Sequence, residues 1–236
     1  MYNPNFTITP SILKNIGLIE AAKALIDTSP LLPAWEKRFQ DEAIVRTVHH
    51  GTHLEGNDLD IAEAKRVIEG DNVVARERDI QEVINYRNVI NYIGKEKGSI
   101  DQELLMKLHN LTTDRILSVE STGQYRKKSV VIRDSRTGKV TFRPPPAVEI
   151  EYLMRNLIDW LTVPNNTHPV LKAGIAQYEF LRVHPFVDGN GRVARALTMF
   201  VLYNAGYDIR RFFSLEEHYD KQPEAYYRAL QSVTKE

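Results

Sequence analysis

The 236 residues provide enough chain for one large domain with a substantial hydrophobic core. Lysine plus arginine and aspartate plus glutamate each number 31, so the formal net charge of zero gives no general attraction to nucleic acid or to an anionic membrane. The absence of cysteine excludes disulfides and thiolate metal sites. Because the chain also has no apolar run of the ~20 residues that cross a membrane, and its first residues do not resemble a signal peptide, we expect a cytoplasmic protein.

Apolar residues recur at helical spacing through the N-terminal part of the chain. Residues 35–54 carry one such stripe and end at Gly56, which is a plausible residue to terminate a helix. Residues 60–63, Asp-Ile-Ala-Glu, form a capping box that predicts a short helix closing near Gly70.

The same helical period continues to the C-terminus. Capping signals at Ser99-Ile-Asp-Gln and Ser214-Leu-Glu-Glu mark two further helix starts. The remaining apolar stripes predict helices over 80–93, 104–108, 150–161, 169–184 and 225–233. These patterns predict a mainly α protein.

One segment breaks the helical pattern. Residues 128–133 and 139–143 are rich in β-branched and aromatic side chains, and a polar, glycine-containing loop separates them. This spacing predicts a β-hairpin, and because an isolated two-stranded ribbon is marginally stable, we expect it to lie against the helices.

A dense set of chemically active residues lies at 184–195, which read His-Pro-Phe-Val-Asp-Gly-Asn-Gly-Arg-Val-Ala-Arg. Gly189 and Gly191 allow positive φ and close approach of the backbone to a ligand. The residues from Val193 onward have good helix-forming composition, so the turn presents a helix N-terminus, where unpaired N–H groups bind anions.

The charged residues of this run fit the same chemistry. Arg192 and Arg195 are spaced so that both can contact phosphate oxygens, and Asp188 offers an oxygen ligand to a hard cation. His184 can accept a proton from a nucleophile near neutral pH. The combination indicates phosphoryl or nucleotidyl transfer.

The run resembles the signature of the Fic/Doc family, His-Pro-Phe-x-(Asp/Glu)-Gly-Asn-Gly-Arg-x-x-Arg, at all nine defined positions. Residues 124–126 and 144–146 also resemble the usual flanks of the family's hairpin. Gly191 points to the branch that transfers AMP from ATP, since the phosphorylating branch carries lysine there. The resemblance implies a Fic-type helical bundle with a small β-hairpin flap over the active site.

The resemblance also implies a division of the chain and a set of roles. Residues 1–100 would form an N-terminal helical region with an inhibitory helix at about 35–56, and residues 101–236 the Fic core with its flap (128–143) and catalytic loop (184–195). His184 would be the catalytic base and Asp188 would hold Mg²⁺. The residues expected to bind ATP or to lie beside it are Gly189, Asn190, Gly191, Arg192, Arg195, Val131, Ile132, Tyr226 and Tyr227.

Two parts of this set carry specific expectations. Val131 and Ile132 belong to the flap, where a target polypeptide would pair by strand addition. Tyr226 and Tyr227 would form the wall beside the adenine, although two aromatic residues in a core helix are an alternative interpretation.

Glu55 and Gly56 resemble the end of an inhibitory motif, Ser/Thr-x-x-x-Glu-(Gly/Asn). The resemblance implies that Glu55 pairs with Arg195 and blocks its contact with the γ-phosphate. Gly51 stands where the motif has a hydroxyl residue, and because glycine weakens a helix we expect a weaker brake. Two alternatives remain: residues 52–55 form a capping box, or His49 and His53 bind a metal.

Other functions stay open at this point. The same scaffold can transfer UMP or phosphocholine, or remove AMP with Glu55 positioning a water, and a non-catalytic module locked by Glu55 is a further alternative. We expect a protein substrate on the flap, no membrane partner and no direct nucleic-acid binding by this segment, and leave self-modification and a homodimer open.

Overall fold

The computed structural model describes residues 2–133 and 138–233, and their regular structure is helical apart from one short ribbon. The α-helices are α1 (Pro10–Thr28), α2 (Pro33–His53), α3 (Ile61–Glu69), α4 (Glu77–Lys95), α5 (Gln102–Thr113), α6 (Ile150–Thr162), α7 (Pro169–Val183), α8 (Asn190–Asn204), α9 (Leu215–Lys221) and α10 (Pro223–Gln231). The ribbon pairs β1 (Ile132–Arg133) with β2 (Val140–Phe142), and 3₁₀ turns cover Ala147–Glu149 and Ile209–Arg211. The predicted mainly α fold with a hairpin is confirmed.

The centre of the molecule is α8. Every residue from Arg192 to Leu202 is buried, because α4, α5 and α7 pack around this helix. Most side chains of this enclosed helix are apolar, and its two buried arginines, Arg192 and Arg195, pair with carboxylates from other parts of the chain. The hydrophobic core contains residues from both predicted regions of the chain, including Val48, Val83, Leu108 and Phe200.

The predicted capping signals are confirmed at the starts of α3 and α9 and are wrong at the start of α5. The side chain of Asp60 accepts from the N–H groups of Ala62 and Glu63, and the capping box predicted there is present. The sequence pattern predicted that Ser99 caps α5, but Ser99 does not cap this helix. Asp101 is its N-cap, because the Asp101 carboxylate accepts from the Leu104 N–H at 2.8 Å.

Helix α1 is not among the helices that periodicity predicted. None of its residues is fully buried. Its isoleucines are half-buried, but leucines next to them in sequence are exposed, so apolar residues are not confined to one face and the sequence lacks a clear amphipathic stripe. Polar contacts attach α1 to the rest of the protein: the Tyr207 hydroxyl donates to Glu20, and His168 lies 3.1 Å from the same carboxylate.

The ribbon is shorter than the predicted hairpin over 128–143. Ile132 pairs with Phe142 and Arg133 with Val140, while Val131 precedes β1. Residues 134–137 of the predicted loop lie outside the described residues. The composition of the flanking residues favours strands. Among the described residues, however, no third strand pairs with the ribbon, and a ribbon of two strands is only marginally stable.

In the described part of the chain, no helix is both long enough and apolar enough to cross a membrane.

The cap at α5 gives a direct test. Asp101→Ala should lower the free energy of unfolding by ~1 kcal/mol, because it leaves a helix N–H without its acceptor. Ser99→Ala is the matched control and should change stability by only a few tenths of a kcal/mol, since Asp101 and not Ser99 accepts from the helix. Chemical denaturation of both variants measures the difference; equal losses would contradict the assignment of the cap.

Candidate active site

The turn at residues 184–190 joins α7 to α8 and contains two residues with left-handed backbone conformation. His184 ends α7 at φ 50° and Gly189 precedes α8 at φ 77°. The helix begins at Asn190, three residues earlier than predicted, so Gly191 lies inside its first turn and does not have positive φ. The expectation of positive φ was therefore correct for Gly189 and wrong for Gly191. Gly189 provides no side chain to cap α8, so the turn presents uncapped N–H groups.

Asn190 holds the turn closed. Its amide oxygen accepts from the Phe186 N–H and its amide nitrogen donates to the Phe186 carbonyl, both at 2.9 Å. Phe186 is fully buried and anchors the loop in the core. Asn190 was expected to bind ATP or to lie beside it, and in this structure its side-chain oxygen and nitrogen both bond to the backbone of the loop.

His109 on α5 supports the same turn, and the sequence analysis did not identify it. Its ring stacks on Phe186 with 3.8 Å between centroids. Its Nδ1 accepts from the Gly123 N–H at 2.8 Å, and its Nε2 donates to the Asp188 carbonyl at 3.1 Å. Burial lowers the pKa of His109 to about 4, so the imidazole is neutral in the tautomer that both contacts require. No local motif marks this histidine; only the tertiary contact reveals it.

Asp188 lies in a network of alternating charges. Its carboxylate is 2.9 Å from Arg78 and 3.6 Å from Arg192. Arg192 also lies 3.3 Å from Glu82, which bonds to Arg78 and Asn57. Burial raises the pKa of Asp188, but the charges of Arg192 and Arg78 and the Gly189 N–H outweigh it, so the pKa is lowered overall. Arg78 and Glu82 were not predicted as parts of the site because α4 is remote in sequence.

The donor set at Asp188 limits what kind of metal the site could hold. Within residues 2–133 and 138–233, no three His, Cys, Asp or Glu side chains form a group that could bind a metal ion. A single carboxylate does fit a magnesium ion that takes its other ligands from substrate phosphates and water, which is the usual arrangement for Mg²⁺.

Glu55 lies over the N-terminus of α8. Its Oε1 is 2.8 Å from Nη1 of Arg195, and the other terminal nitrogen of Arg195 donates to the Gly51 carbonyl at 2.7 Å. A Cβ atom at Gly191 would overlap the Glu55 carboxylate. The structure therefore brings Glu55 next to Gly191 and Arg195, which belong to the run at residues 184–195.

Gly51 allows α2 to pack closely against α4. A Cβ atom at this position would overlap the ring of Tyr86 and lie 3.2 Å from Cγ of Glu216. Because Tyr86 fills the space that a larger residue would need, Gly51 permits tight packing of α2 on α4. The loosening that we expected from this glycine is thus opposed by packing that only a glycine permits.

Two alternative interpretations of this segment were a capping box at residues 52–55 and a metal site at His49 and His53. Thr52 lies in the last turn of α2 and its hydroxyl donates to the Val48 and His49 carbonyls, so residues 52–55 are not an N-terminal capping box. His53 contacts Asp220 at 2.9 Å, and His50 contacts the same carboxylate at 2.7 Å. These histidines attach α2 to α9.

His184 is half-buried beside the turn. Burial is the main cause that lowers its pKa to about 4, and the positive charge of Arg126 adds to the effect, while Glu55 and Asp188 oppose it. The imidazole is consequently neutral at physiological pH. A neutral imidazole is the form that can accept a proton.

The remaining predicted residues lie nearby. Tyr226 stacks on Tyr219 with 4.6 Å between centroids, and its hydroxyl accepts from Gln177 at 3.0 Å. Tyr227 is partly exposed, and its hydroxyl is 3.4 Å from the Leu54 carbonyl, next to Glu55. Both tyrosines lie near Glu55, which follows the C-terminal end of α2. Stacking on a base stays a prediction.

The fold is a helical bundle with a short ribbon and with a turn that presents uncapped N–H groups at the start of its central helix. The Fic/DOC family model matches residues 99–202. The crystal structure of a Fic family protein from Desulfovibrio desulfuricans G20 is similar with a TM-score of 0.83 at 30% sequence identity, covering 98% of this chain and 68% of that chain. A Fic domain-containing signaling protein from Bacteroides thetaiotaomicron VPI-5482 has a TM-score of 0.78 at 25% identity, covering 92% and 80%. The chain belongs to the Fic/DOC family.

Curated relatives are similar at lower identity. The protein adenylyltransferase Fic of Drosophila willistoni is 26% identical over 201 residues, which cover 82% of this chain and 39% of the relative. That of Drosophila grimshawi is 29% identical over 178 residues, covering 72% and 35%. The chain thus spans about two fifths of the length of these relatives.

The buried imidazole of His109 predicts an acid-sensitive fold. Its pKa is near 4 when folded and ~6.5 when unfolded, so its contribution is complete above pH 6.5 and is lost as the pH falls toward 4. Between pH 7 and pH 5 this loss amounts to about 2 kcal/mol.

His109→Phe keeps the stacking on Phe186 and removes the titrating group. This variant should be less stable at pH 7, because the Gly123 N–H and the Asp188 carbonyl lose their partner, yet its stability should fall by about 2 kcal/mol less between pH 7 and pH 5. Exposed His218→Phe is the control. Denaturant titration at both pH values decides: the same pH dependence in His109→Phe and wild type would refute the assignment.

Proposed function

We propose that this protein transfers AMP from ATP to a serine, threonine or tyrosine hydroxyl of a target protein. The observation that carries the proposal is the position of the Glu55 carboxylate, which pairs with Arg195 at the uncapped N-terminus of α8. A carboxylate at this position supports the proposal that the site accepts an anion, because a phosphate would need the same N–H groups and the same guanidinium. The names of the curated relatives and the glycine at 191 support AMP as the group transferred.

In the proposed reaction, His184 accepts the proton of the attacking hydroxyl. The hydroxyl oxygen then forms a bond to the α-phosphorus of ATP, the bond between the α-phosphorus and the bridging oxygen breaks, and pyrophosphate leaves with its electron pair. Because the pKa of His184 lies below physiological pH, its imidazole is in the unprotonated form that can accept a proton.

The N-terminus of α8 provides the electrostatic part of the proposal. Its N–H groups at Gly191 and Arg192 would stabilise charge on the transferred phosphate, and Arg195 would bind the terminal phosphates once Glu55 has moved away. Asp188 would hold Mg²⁺ together with phosphate oxygens, and the cation would neutralise part of their charge. Arg78 now contacts Asp188, so it would have to give up this contact.

Glu55 acts as a brake in this proposal. A guanidinium that is already paired cannot bind the γ-phosphate until the pair opens, so Glu55 competes with the nucleotide for Arg195. The contact of Arg195 with the Gly51 carbonyl makes α2 part of the same lock. The strength of the brake is the free-energy difference between the closed and open positions of Glu55.

The flap would present the target. Ile132 pairs with Phe142 on one side, and a target strand would add along the flap near Val131 and Ile132 by backbone hydrogen bonds. A second candidate activity, removal of AMP from a modified protein, is favoured by one observation: the Glu55 carboxylate projects into the site, where it could position a water.

Substituting the base tests the reaction directly. His184→Ala should abolish transfer of label from α-labelled ATP to proteins in a lysate, because general bases contribute roughly 10²–10⁴-fold. Nucleotide affinity, measured by calorimetry, should remain near wild type, since the imidazole acts on the attacking hydroxyl. His218→Ala, a substitution of an exposed histidine on α9, is the control for effects of a histidine substitution outside the proposed site. Labelling of His184→Ala at the wild-type rate would refute the role of His184, and mass spectrometry of labelled proteins identifies the transferred group.

Substituting the brake tests the regulation. Glu55→Gly should raise the initial rate of transfer by on the order of tenfold or more, because each 1.4 kcal/mol of bias toward the closed state is worth a factor of ten. Glu55→Gln, which can still accept from Arg195 but without charge, should give an intermediate rate. Arg195→Ala in the Glu55→Gly background should remove the gain, because the released guanidinium is absent. Equal rates for wild type and Glu55→Gly would mean that Glu55 does not inhibit.

A further inference from the structure

Arg126 precedes the flap, and its guanidinium binds four backbone carbonyls. Nε donates to the His184 carbonyl at 2.8 Å, and one terminal nitrogen donates to Lys128 at 2.9 Å. The other terminal nitrogen donates to Pro145 at 2.7 Å and to Val183 at 3.3 Å. In addition, the Arg126 backbone N–H donates to the Pro185 carbonyl at 2.9 Å.

These acceptors belong to two separate parts of the molecule. Lys128 and Pro145 lie on the two stems of the flap, one before β1 and one after β2. Val183 and His184 are the last residue of α7 and its C-cap, where the proposed base is attached. One side chain therefore connects both stems of the flap to the backbone of His184.

The cost of burying this side chain indicates a positional role. Arg126 is 3% exposed, and among the described residues no carboxylate lies within ion-pair distance of its guanidinium. Burial without a counter-charge lowers the pKa of Arg126, although the group stays protonated. A buried cation without an ion pair is expensive, and here the compensation comes from hydrogen bonds to carbonyls in the planar geometry that only arginine offers.

We propose that Arg126 is a positioning residue for transfer to protein targets: it sets the distance between the flap, which holds the target, and His184, which takes its proton. This inference rests on the proposed function. If the flap moves relative to His184, the target hydroxyl is misplaced while the nucleotide site at α8 is unaffected. Misplacement of a reacting group by ~1 Å can cost about 10²-fold in rate.

A substitution series separates this role from general stability. Arg126→Lys keeps the positive charge but cannot reach the four carbonyls together, and Arg126→Met removes charge and hydrogen bonds. The control is Arg182→Met, which breaks the bidentate pair with Glu179 on α7 but touches neither the flap nor His184. All variants are made in the full chain with Glu55→Gly, so that the brake does not limit the rate.

The decisive measurement is a partition ratio. With α-labelled ATP and lysate, the label transferred to protein is compared with the AMP released to water, since water needs no flap. Arg126→Lys should lower transfer to protein by about tenfold or more while AMP release changes much less, and Arg126→Met should show the larger effect. The affinity for ATP, measured by calorimetry, and the partition ratio of Arg182→Met should both stay at parent values. An unchanged partition ratio in both Arg126 variants would overturn the proposal.

Amide hydrogen exchange provides a readout that does not depend on the reaction. In Arg126→Lys, peptides containing Lys128 and Pro145 should exchange at least several-fold faster, whereas Arg182→Met should leave their exchange unchanged. If the parent protein transfers no AMP, the proposed function fails, and the exchange data still decide whether Arg126 holds the flap. Unchanged exchange in the Arg126 variants would overturn the positional role.

Discussion

The buried guanidinium of Arg195 requires an anion, and the arrangement of the site follows from this requirement. Its side chain is almost fully buried within the central helix, where an unpaired charge would be strongly destabilising. Glu55, two residues beyond the end of α2, provides the anion. A phosphate could provide the same charge, so under the proposed function the electrostatic requirement that holds Glu55 beside Arg195 would also favour nucleotide binding. Inhibition and substrate binding would then meet the same electrostatic requirement of Arg195.

The proximity of α2 to α8 depends on backbone packing as well as on charge. Gly51 lets the ring of Tyr86 lie against α2, and the Gly51 carbonyl accepts a hydrogen bond from Arg195. Arg195 therefore contacts α2 through a neutral backbone carbonyl in addition to its contact with the Glu55 carboxylate. Removing the Glu55 carboxylate would leave this second contact in place, so α2 need not leave the protein for the site to open.

The turn at residues 184–190 is held from outside its own sequence. His109 on α5 supports Phe186 and the Asp188 carbonyl, and Arg126 supports the His184 carbonyl. Neither residue needs to touch a substrate. Both are buried and are fixed by hydrogen bonds, which keeps the loop in one geometry before any ligand arrives. Preorganisation of this kind reduces the rearrangement needed during reaction.

The amino-acid sequence by itself determined the helical class and most helix boundaries, because helical period, capping residues and turn glycines act over a few neighbouring positions. It also indicated a chemistry for residues 184–195. It indicated Glu55 only through resemblance to a motif. It did not reveal His109, Arg126, Glu82 or Arg78, and it assigned the cap of α5 to Ser99 in place of Asp101. Tertiary structure decided these points, since each depends on contacts between residues far apart in the chain. The same reason explains Gly51: local propensity marks it as a weak point in a helix, and only the ring of Tyr86 packed against it makes glycine the residue that fits.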